Sequence, residues 1–140
     1  MGYWLVNAGT VADPLPATRN GVAASFKDWD ERHGSVHGVD KAYAMQPGDR
    51  LIYRTVGMPV SRLVAVARVV EPPRAEKLLR WDYRVPREVE ILIPTLRYGP
   101  AFELLQTPPT RMTKKLSDAQ DDQAVELLAA AAAKAATGHV

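Results

Sequence analysis

Cysteine is absent from this 140-residue chain, and its absence excludes several kinds of chemistry at once. Without thiols the protein has no disulfide, no cysteine nucleophile and no cysteine-ligated zinc. No run of 18 apolar residues is present either, so the sequence predicts no membrane-spanning helix. The first predicted strand starts at residue 3, which leaves no room for a targeting segment, and the expected location is therefore cytoplasmic.

The motifs of common catalytic and nucleotide-binding sites are also missing. The chain contains no Gly-x-Ser-x-Gly elbow, no phosphate-binding loop and no Gly-x-Gly-x-x-Gly. His33 and His37 are four residues apart, but Gly34 and Gly38 disfavour the helix that metal ligation at this spacing needs. We therefore assign no catalytic residue, no metal and no cofactor, and we predict a binding protein rather than an enzyme.

Basic residues are concentrated in the middle of the chain. Residues 50–115 contain thirteen basic and six acidic residues, a net charge of +7, whereas the whole chain carries only +2. Twelve of the eighteen basic residues are arginine, which is suited to bidentate phosphate contacts and to stacking on bases. This charge indicates either a surface that faces nucleic acid or the solvated strand faces of an arginine-rich protein.

The apolar pattern predicts an α+β protein with strands before a terminal helix. A Ser117/Gln120 capping box precedes an alanine-rich helix over about residues 117–136. Short helical pieces are expected at residues 19–29 and 75–79. No linker is long enough to divide the chain, so we predict a single domain, residues 1–140. The predicted strands are residues 3–7, 50–56, 62–70, 82–85 and 88–93.

Two of these strands form a predicted antiparallel hairpin, residues 50–56 and 62–70, joined by Gly57-Met58-Pro59. The second strand is apolar on both faces, as in a strand buried on both sides. The small side chains of Ala65 and Ala67 leave space for a ligand or for another element of the fold. Strict alternation places on one face Leu63, Ala65, Ala67 and Val69.

Several segments, taken in order, resemble the EVE domain of the PUA-like superfamily, which is related to the YTH and ASCH domains. The segments are Tyr-Trp-Leu-Val-Asn at 3–7, the loop tryptophan Trp29, Met-x-Pro-Gly-Asp-Arg-Leu-Ile-Tyr at 45–53, the apolar strand 63–70, and Trp81. The resemblance extends over about residues 3–130. It implies a PUA-like β-barrel of about five to six mostly antiparallel strands, flanked by short helices and a C-terminal helix.

The resemblance also implies a site for a modified base, such as methylated cytosine or adenine, in DNA or RNA. Trp29 would stack on the base and Asn7 would hydrogen-bond to its edge, because aromatic planes beside basic grooves hold nucleobases. Carried onto this chain, the pocket residues are Asn7, Ala8, Trp29, Ser35, Tyr53 and Arg54. The expected contacts to the nucleic-acid backbone are Arg50, Arg62, Arg84, Arg87 and Arg97.

Two other classes of function stay open at this point. One is a hydrolase of modified nucleosides, as described for some ASCH relatives, for which Lys41 and Glu31 are candidate groups. The other is a module that binds a small molecule or a protein. Turnover distinguishes the first from a base reader, and salt dependence distinguishes the second, because phosphate contacts weaken as salt rises.

Overall fold

The part of the chain that the structure describes consists mainly of a mixed β-sheet with a long helix packed on it. The computed structural model describes residues 2–10, 45–56, 61–72, 74–75, 83–84, 87–94, 98–102 and 113–137. The α+β class predicted from the sequence is confirmed. The elements are β1 (Tyr3–Thr10), β2 (Arg50–Val56), β3 (Arg62–Val69), β4 (Arg74–Ala75), β5 (Tyr83–Arg84), β6 (Arg87–Leu92), β7 (Thr113–Lys115) and α1 (Asp118–Thr137).

The main sheet has the strand order β6-β3-β2-β1-β7. Its central pair, β1 and β2, is parallel, and the other neighbouring pairs are antiparallel. β4 and β5 form a separate two-stranded antiparallel sheet. In the part of the chain that the structure describes, β6 and β7 are the two edges of the main sheet, which does not close on itself there.

The hairpin of β2 and β3 is confirmed, with nearly the predicted bounds. Two local predictions are wrong, and a third difference is a strand that the sequence did not predict. β1 does not end at Asn7 but continues to Thr10, and Ala75 lies in β4 rather than at the start of a helix. β7 was not predicted, because Thr-Lys-Lys has no apolar pattern and is a strand only through its pairing with β1.

The sheet buries a cluster of apolar side chains on each face. The helix-side cluster lies under α1 and joins Leu5, Ile52, Leu63, Val66, Ile93, Phe102 and Leu116 of the sheet side to Ala124, Leu128 and Ala131 of α1. The opposite cluster consists of Trp4, Val6, Met45, Leu51, Tyr53, Val64, Ala65, Ala67 and Val69. Both faces of β3 are therefore buried, as its apolar sequence predicts.

Because of an irregularity in β3, Leu63 lies on the opposite face of the sheet from the one that the sequence predicted. Tyr53 pairs with Ala65 and Arg54 pairs with Leu63, so Val64 is an extra residue in β3 at this point. A bulge of this kind interrupts the two-residue alternation of a strand. Leu63 consequently packs in the helix-side cluster, rather than with Ala65 as strict alternation predicted.

The turn before β2 is built around one glycine and one aspartate. Gly48 has a φ of 94°, a conformation that favours glycine. Its N–H donates to the carbonyl of Val69 at 2.8 Å, which anchors the turn to the end of β3. The Asp49 N–H donates to the carbonyl of Gln46 at 3.0 Å and closes the turn itself.

Helix α1 begins as the sequence predicted. The Ser117 Oγ accepts from the Gln120 N–H at 3.2 Å, and the Gln120 Oε1 accepts from the Ser117 N–H at 2.9 Å. This reciprocal capping box satisfies two backbone donors at the start of the helix. Leu128 has no exposed area and packs with Ala124 and Ala131 onto the sheet. Within the described residues no helix has both the length and the apolar character of a membrane span.

Candidate functional site

The parallel pairing of β1 with β2 brings part of the predicted pocket together. Asn7 is the cross-strand partner of Arg54, and Val6 is the partner of Tyr53. β1 ends at Thr10 and β2 begins at Arg50, so only the fold makes these positions neighbours. The register of β1 becomes irregular directly after Asn7, between Asn7 and Thr10. Ala8 lies within this irregular stretch of β1.

Tyr53 and Arg54 are consecutive, and they lie on opposite faces of the sheet. The Tyr53 side chain belongs to the apolar cluster opposite α1, and it has no exposed area. Arg54 is also fully buried, and its Nη1 donates to the carbonyl of Phe102 at 3.0 Å on the helix side. Because successive side chains of a strand point to opposite faces, one face of the sheet presents only one of the two.

Arg87 joins Tyr53 on the face opposite α1. The centre of its guanidinium lies 5.6 Å from the centroid of the Tyr53 ring, within the range of a cation–π contact. In the sheet register Arg87 is the partner of Val69, whereas Tyr53 is the partner of Ala65. The Arg87 side chain therefore extends along the sheet from the level of Val69 towards that of Ala65 to reach Tyr53. The small Ala65 and Ala67 on this face leave room for it. Only 9% of Arg87 is exposed.

Arg50 contacts helix α1 rather than lying free at the surface. Its Nη1 forms an ion pair with the Asp121 Oδ2, and its guanidinium lies 5.6 Å from the ring centroid of Tyr3. The Asp121 side chain is 1% exposed and that of Arg50 is 29% exposed. Burial raises the pKa of the Asp121 carboxyl, and the Arg50 guanidinium only partly offsets this effect.

Arg62 is half-buried at the start of β3, where its Nη1 donates to the carbonyl of Gly99 at 2.8 Å. Arg84 lies in β5, and only its backbone is described. The remaining predicted site residues, Trp29, Ser35 and Arg97, lie outside the described residues.

One row of cross-strand partners contains a charge cluster that the predicted site omitted. The row runs from Tyr3 through Arg50 and Arg68 to Glu88, across four strands. The Nη2 of Arg68 lies 3.8 Å from the Oε2 of Glu88 and 3.5 Å from the Oε2 of Glu90. No local pattern in the sequence shows that a second arginine lies beside Arg50.

Trp4 is 6% exposed and belongs to the cluster opposite α1. Its Nε1 donates to the Oδ2 of Asp49 at 3.1 Å. The Nζ of Lys115, its partner on β7, lies 5.8 Å from the centroid of the Trp4 ring. The Trp4 ring therefore already has contacts within the fold, to Lys115 and to Asp49.

Comparison of the chain with protein-family models and with curated proteins gave no match.

Proposed function

We propose that this protein is a non-enzymatic, cytoplasmic module that binds nucleic acid and recognises a modified base, methylated cytosine or adenine, in DNA or RNA. In this proposal the fold is an EVE-like member of the PUA-like superfamily, and its sheet is part of a barrel of five to six strands. The base enters a pocket where β1 and β2 lie side by side. Trp29 stacks on the base and Asn7 hydrogen-bonds to its edge.

The observation that carries the proposal is the parallel register of β1 and β2. It makes Asn7 the neighbour of Arg54 and Val6 the neighbour of Tyr53. Two of the six pocket positions, Asn7 and Arg54, are therefore cross-strand partners in the sheet, although they come from distant parts of the sequence. The strand irregularity after Asn7 supports the same location, because such irregularities re-aim side chains and are common beside functional sites.

Buried arginine in this part of the sheet is a second support. Arginine is almost never fully buried without a specific role or partner, because removing its charge from water is costly. Arg54 and Arg87 are both buried, one on each face of the sheet. Tyr53 and Arg87 form a buried cation–π contact on the face opposite α1.

The proposal is tested by fluorescence titration with single-stranded DNA and RNA oligomers, each carrying one cytosine, 5-methylcytosine, adenine or N6-methyladenine. Single strands are preferred because extrusion of a base from a duplex costs a few kcal/mol. We expect tighter binding to one modified base, and affinity that falls as salt rises. The Trp29→Ala variant is expected to lose about 1–3 kcal/mol of binding free energy, the usual value of one base–aromatic stack.

Lys134→Ala is the matched control, because Lys134 is exposed in the last turn of α1 and far along the helix from the sheet row described above. It should bind as the wild type does. Far-ultraviolet circular dichroism must show that Trp29→Ala is folded. Equal affinity for modified and plain bases would refute base recognition, and salt-independent binding or nucleoside turnover would favour the other classes of function.

A further inference from the structure

We propose that Arg68 is a phosphate contact of this protein, and that Glu88 and Glu90 act as intramolecular counterions which a phosphate displaces. The inference rests on the proposed nucleic-acid function and deepens it. Arg68 lies outside the set of arginines that the sequence assigned to the nucleic-acid backbone. The argument comes from its place in the sheet, its exposure and the geometry of its two acidic neighbours.

Arg68 and Arg50 are direct cross-strand partners on β3 and β2. Like charges directly opposite each other destabilise a sheet, so a pair of this kind needs nearby anions. Each of the two arginines has its own acidic partner. Arg50 is neutralised by Asp121 of α1, and Arg68 by Glu88 and Glu90 of β6.

The two ion pairs differ in how readily they open. The Asp121 carboxylate is 1% exposed, so separating it from Arg50 would leave a charge inside the protein. The side chain of Arg68 is 51% exposed, and those of Glu88 and Glu90 are 70% and 38% exposed. Water replaces a lost partner at exposed positions of this kind. Arg68, and not Arg50, is therefore the arginine of this row that can change partners at little cost.

The contact distances support the same conclusion. The nitrogen–oxygen separations of 3.5 and 3.8 Å exceed the 2.7–2.9 Å that is usual for a hydrogen bond between ionised groups. The carboxylates thus hold Arg68 by charge attraction alone. A phosphate that approaches from solvent can form the shorter, bidentate contact that suits a guanidinium.

An irregularity in β6 explains why two carboxylates face one guanidinium. Ala67 pairs with Val89 and Val66 pairs with Ile91, so Glu90 is an extra residue in β6. Glu88 is the direct partner of Arg68, and the bulge brings Glu90 within reach as well. The pair of acidic residues over-neutralises Arg68, which predicts that removing them exposes a cation to an incoming anion.

The ordinary alternative is a pair of surface ion pairs that only stabilise the sheet. A double-mutant cycle distinguishes a phosphate contact at Arg68 from ion pairs that only stabilise the sheet. Binding of a single-stranded oligonucleotide of about twelve thymidines is measured at several salt concentrations for wild type, Arg68→Gln, Glu88→Gln/Glu90→Gln and the triple variant. The matched control is Asp122→Asn/Glu126→Gln, which removes two exposed carboxylates from α1 and changes the net charge equally.

We expect Arg68→Gln to reduce the slope of log affinity against log salt by about 0.7, the value for one phosphate contact to a single strand. Glu88→Gln/Glu90→Gln should bind about threefold more tightly than the control variant, as expected for the loss of exposed competing ion pairs. This gain should vanish when Arg68 is also replaced, because the carboxylates would act through Arg68.

The proposal is overturned if the gain persists without Arg68, if it equals that of the control, or if Arg68→Gln leaves the salt slope unchanged. In those cases a wild type that still binds in a salt-dependent manner leaves the nucleic-acid function intact. Absence of binding by all variants overturns the role of Arg68, and the titration with modified oligomers then decides the nucleic-acid function separately.

Discussion

At the scale of single residues, the carboxylate of Asp49 ties the start of β1 to the turn before β2. Its Oδ1 accepts from the Gly2 N–H at 2.8 Å, and its Oδ2 accepts from the Trp4 Nε1 and from the Gln46 N–H at 3.1 and 3.0 Å. The residue is 5% exposed. Three donors from two distant segments therefore depend on one side chain, and each would be left without this acceptor if it were removed.

We predict that Asp49→Ala lowers the free energy of unfolding by about 3 kcal/mol, because hydrogen bonds to ionised groups contribute about 1.5–3 kcal/mol each and their loss here is partly relieved by water. Chemical denaturation measures the change. Asp49→Asn retains one acceptor oxygen and should recover part of the loss. A change below about 0.5 kcal/mol in Asp49→Ala, the range of ordinary surface substitutions, would contradict the structural role.

At the scale of elements, α1 is attached to the sheet by an apolar stripe and by one ion pair. The alanine tract explains why the segment is helical, but the attachment comes from Leu128, Ala124 and Ala131 on one stripe of the helix. Asp121, in the first turn, reaches Arg50 at the start of β2. The pKa of Asp121 is raised because burial disfavours the charged carboxylate more than the Arg50 guanidinium favours it.

The raised pKa of Asp121 predicts the direction of a pH effect on stability. The folded state binds the proton of this carboxyl more tightly than the unfolded state, so its contribution to the free energy of unfolding falls as pH rises from about 4 through the folded pKa. Asp121→Asn cannot titrate. The difference in unfolding free energy, wild type minus variant, should therefore decrease between about pH 4 and pH 7, measured by denaturation at each pH.

Asp118 and Asp122 on α1 raise the pKa of Asp121 further, and Arg50 from β2 lowers it. Asp122→Asn is therefore a useful control, since it removes one exposed carboxylate and leaves the ion pair in place. The difference in unfolding free energy between wild type and Asp122→Asn should change less with pH than the difference between wild type and Asp121→Asn. A wild-type advantage over Asp121→Asn that grows with pH would show that the ion pair outweighs burial.

At the scale of the whole molecule, the two apolar clusters share the same three central strands. β1, β2 and β3 each send side chains into both clusters, for example Leu51 into one and Ile52 into the other. Helix α1 packs across the sheet through the helix-side cluster. Neither cluster can be lost while the other stays intact, because both depend on the same strands.

We therefore predict that the sheet and α1 unfold in one cooperative transition. Tryptophan fluorescence reports on Trp4 among the three tryptophans, and circular dichroism at 222 nm is dominated by helix. The two signals should give the same midpoint in denaturant, as two-state unfolding requires. Fluorescence and dichroism midpoints that differ beyond experimental error would show that α1 detaches before the sheet unfolds.

The parts of the fold that follow from local pattern were predicted well. The pairing of β2 with β3 follows from two apolar segments close together in sequence, and α1 follows from Ser117, Gln120 and its alanines. The candidate site was predicted less completely. Tyr53 and Arg54 were assigned to one pocket, yet the structure separates their side chains by the thickness of the sheet. The partners of Arg50 and Arg68 come from α1 and β6, and no local pattern shows them.

The sequence by itself determined the class of the fold, the central hairpin, the capped helix and the excess of arginine between residues 50 and 115. These features depend on side-chain periodicity, turn chemistry and helix capping, which act over a few residues. Only the tertiary structure decided that β1 pairs in parallel with β2, that bulges shift Leu63 and Glu90, and that Arg50 and Arg68 take different acidic partners. Those outcomes depend on contacts between distant segments, because strand register and the burial of charge are settled only when the segments pack together.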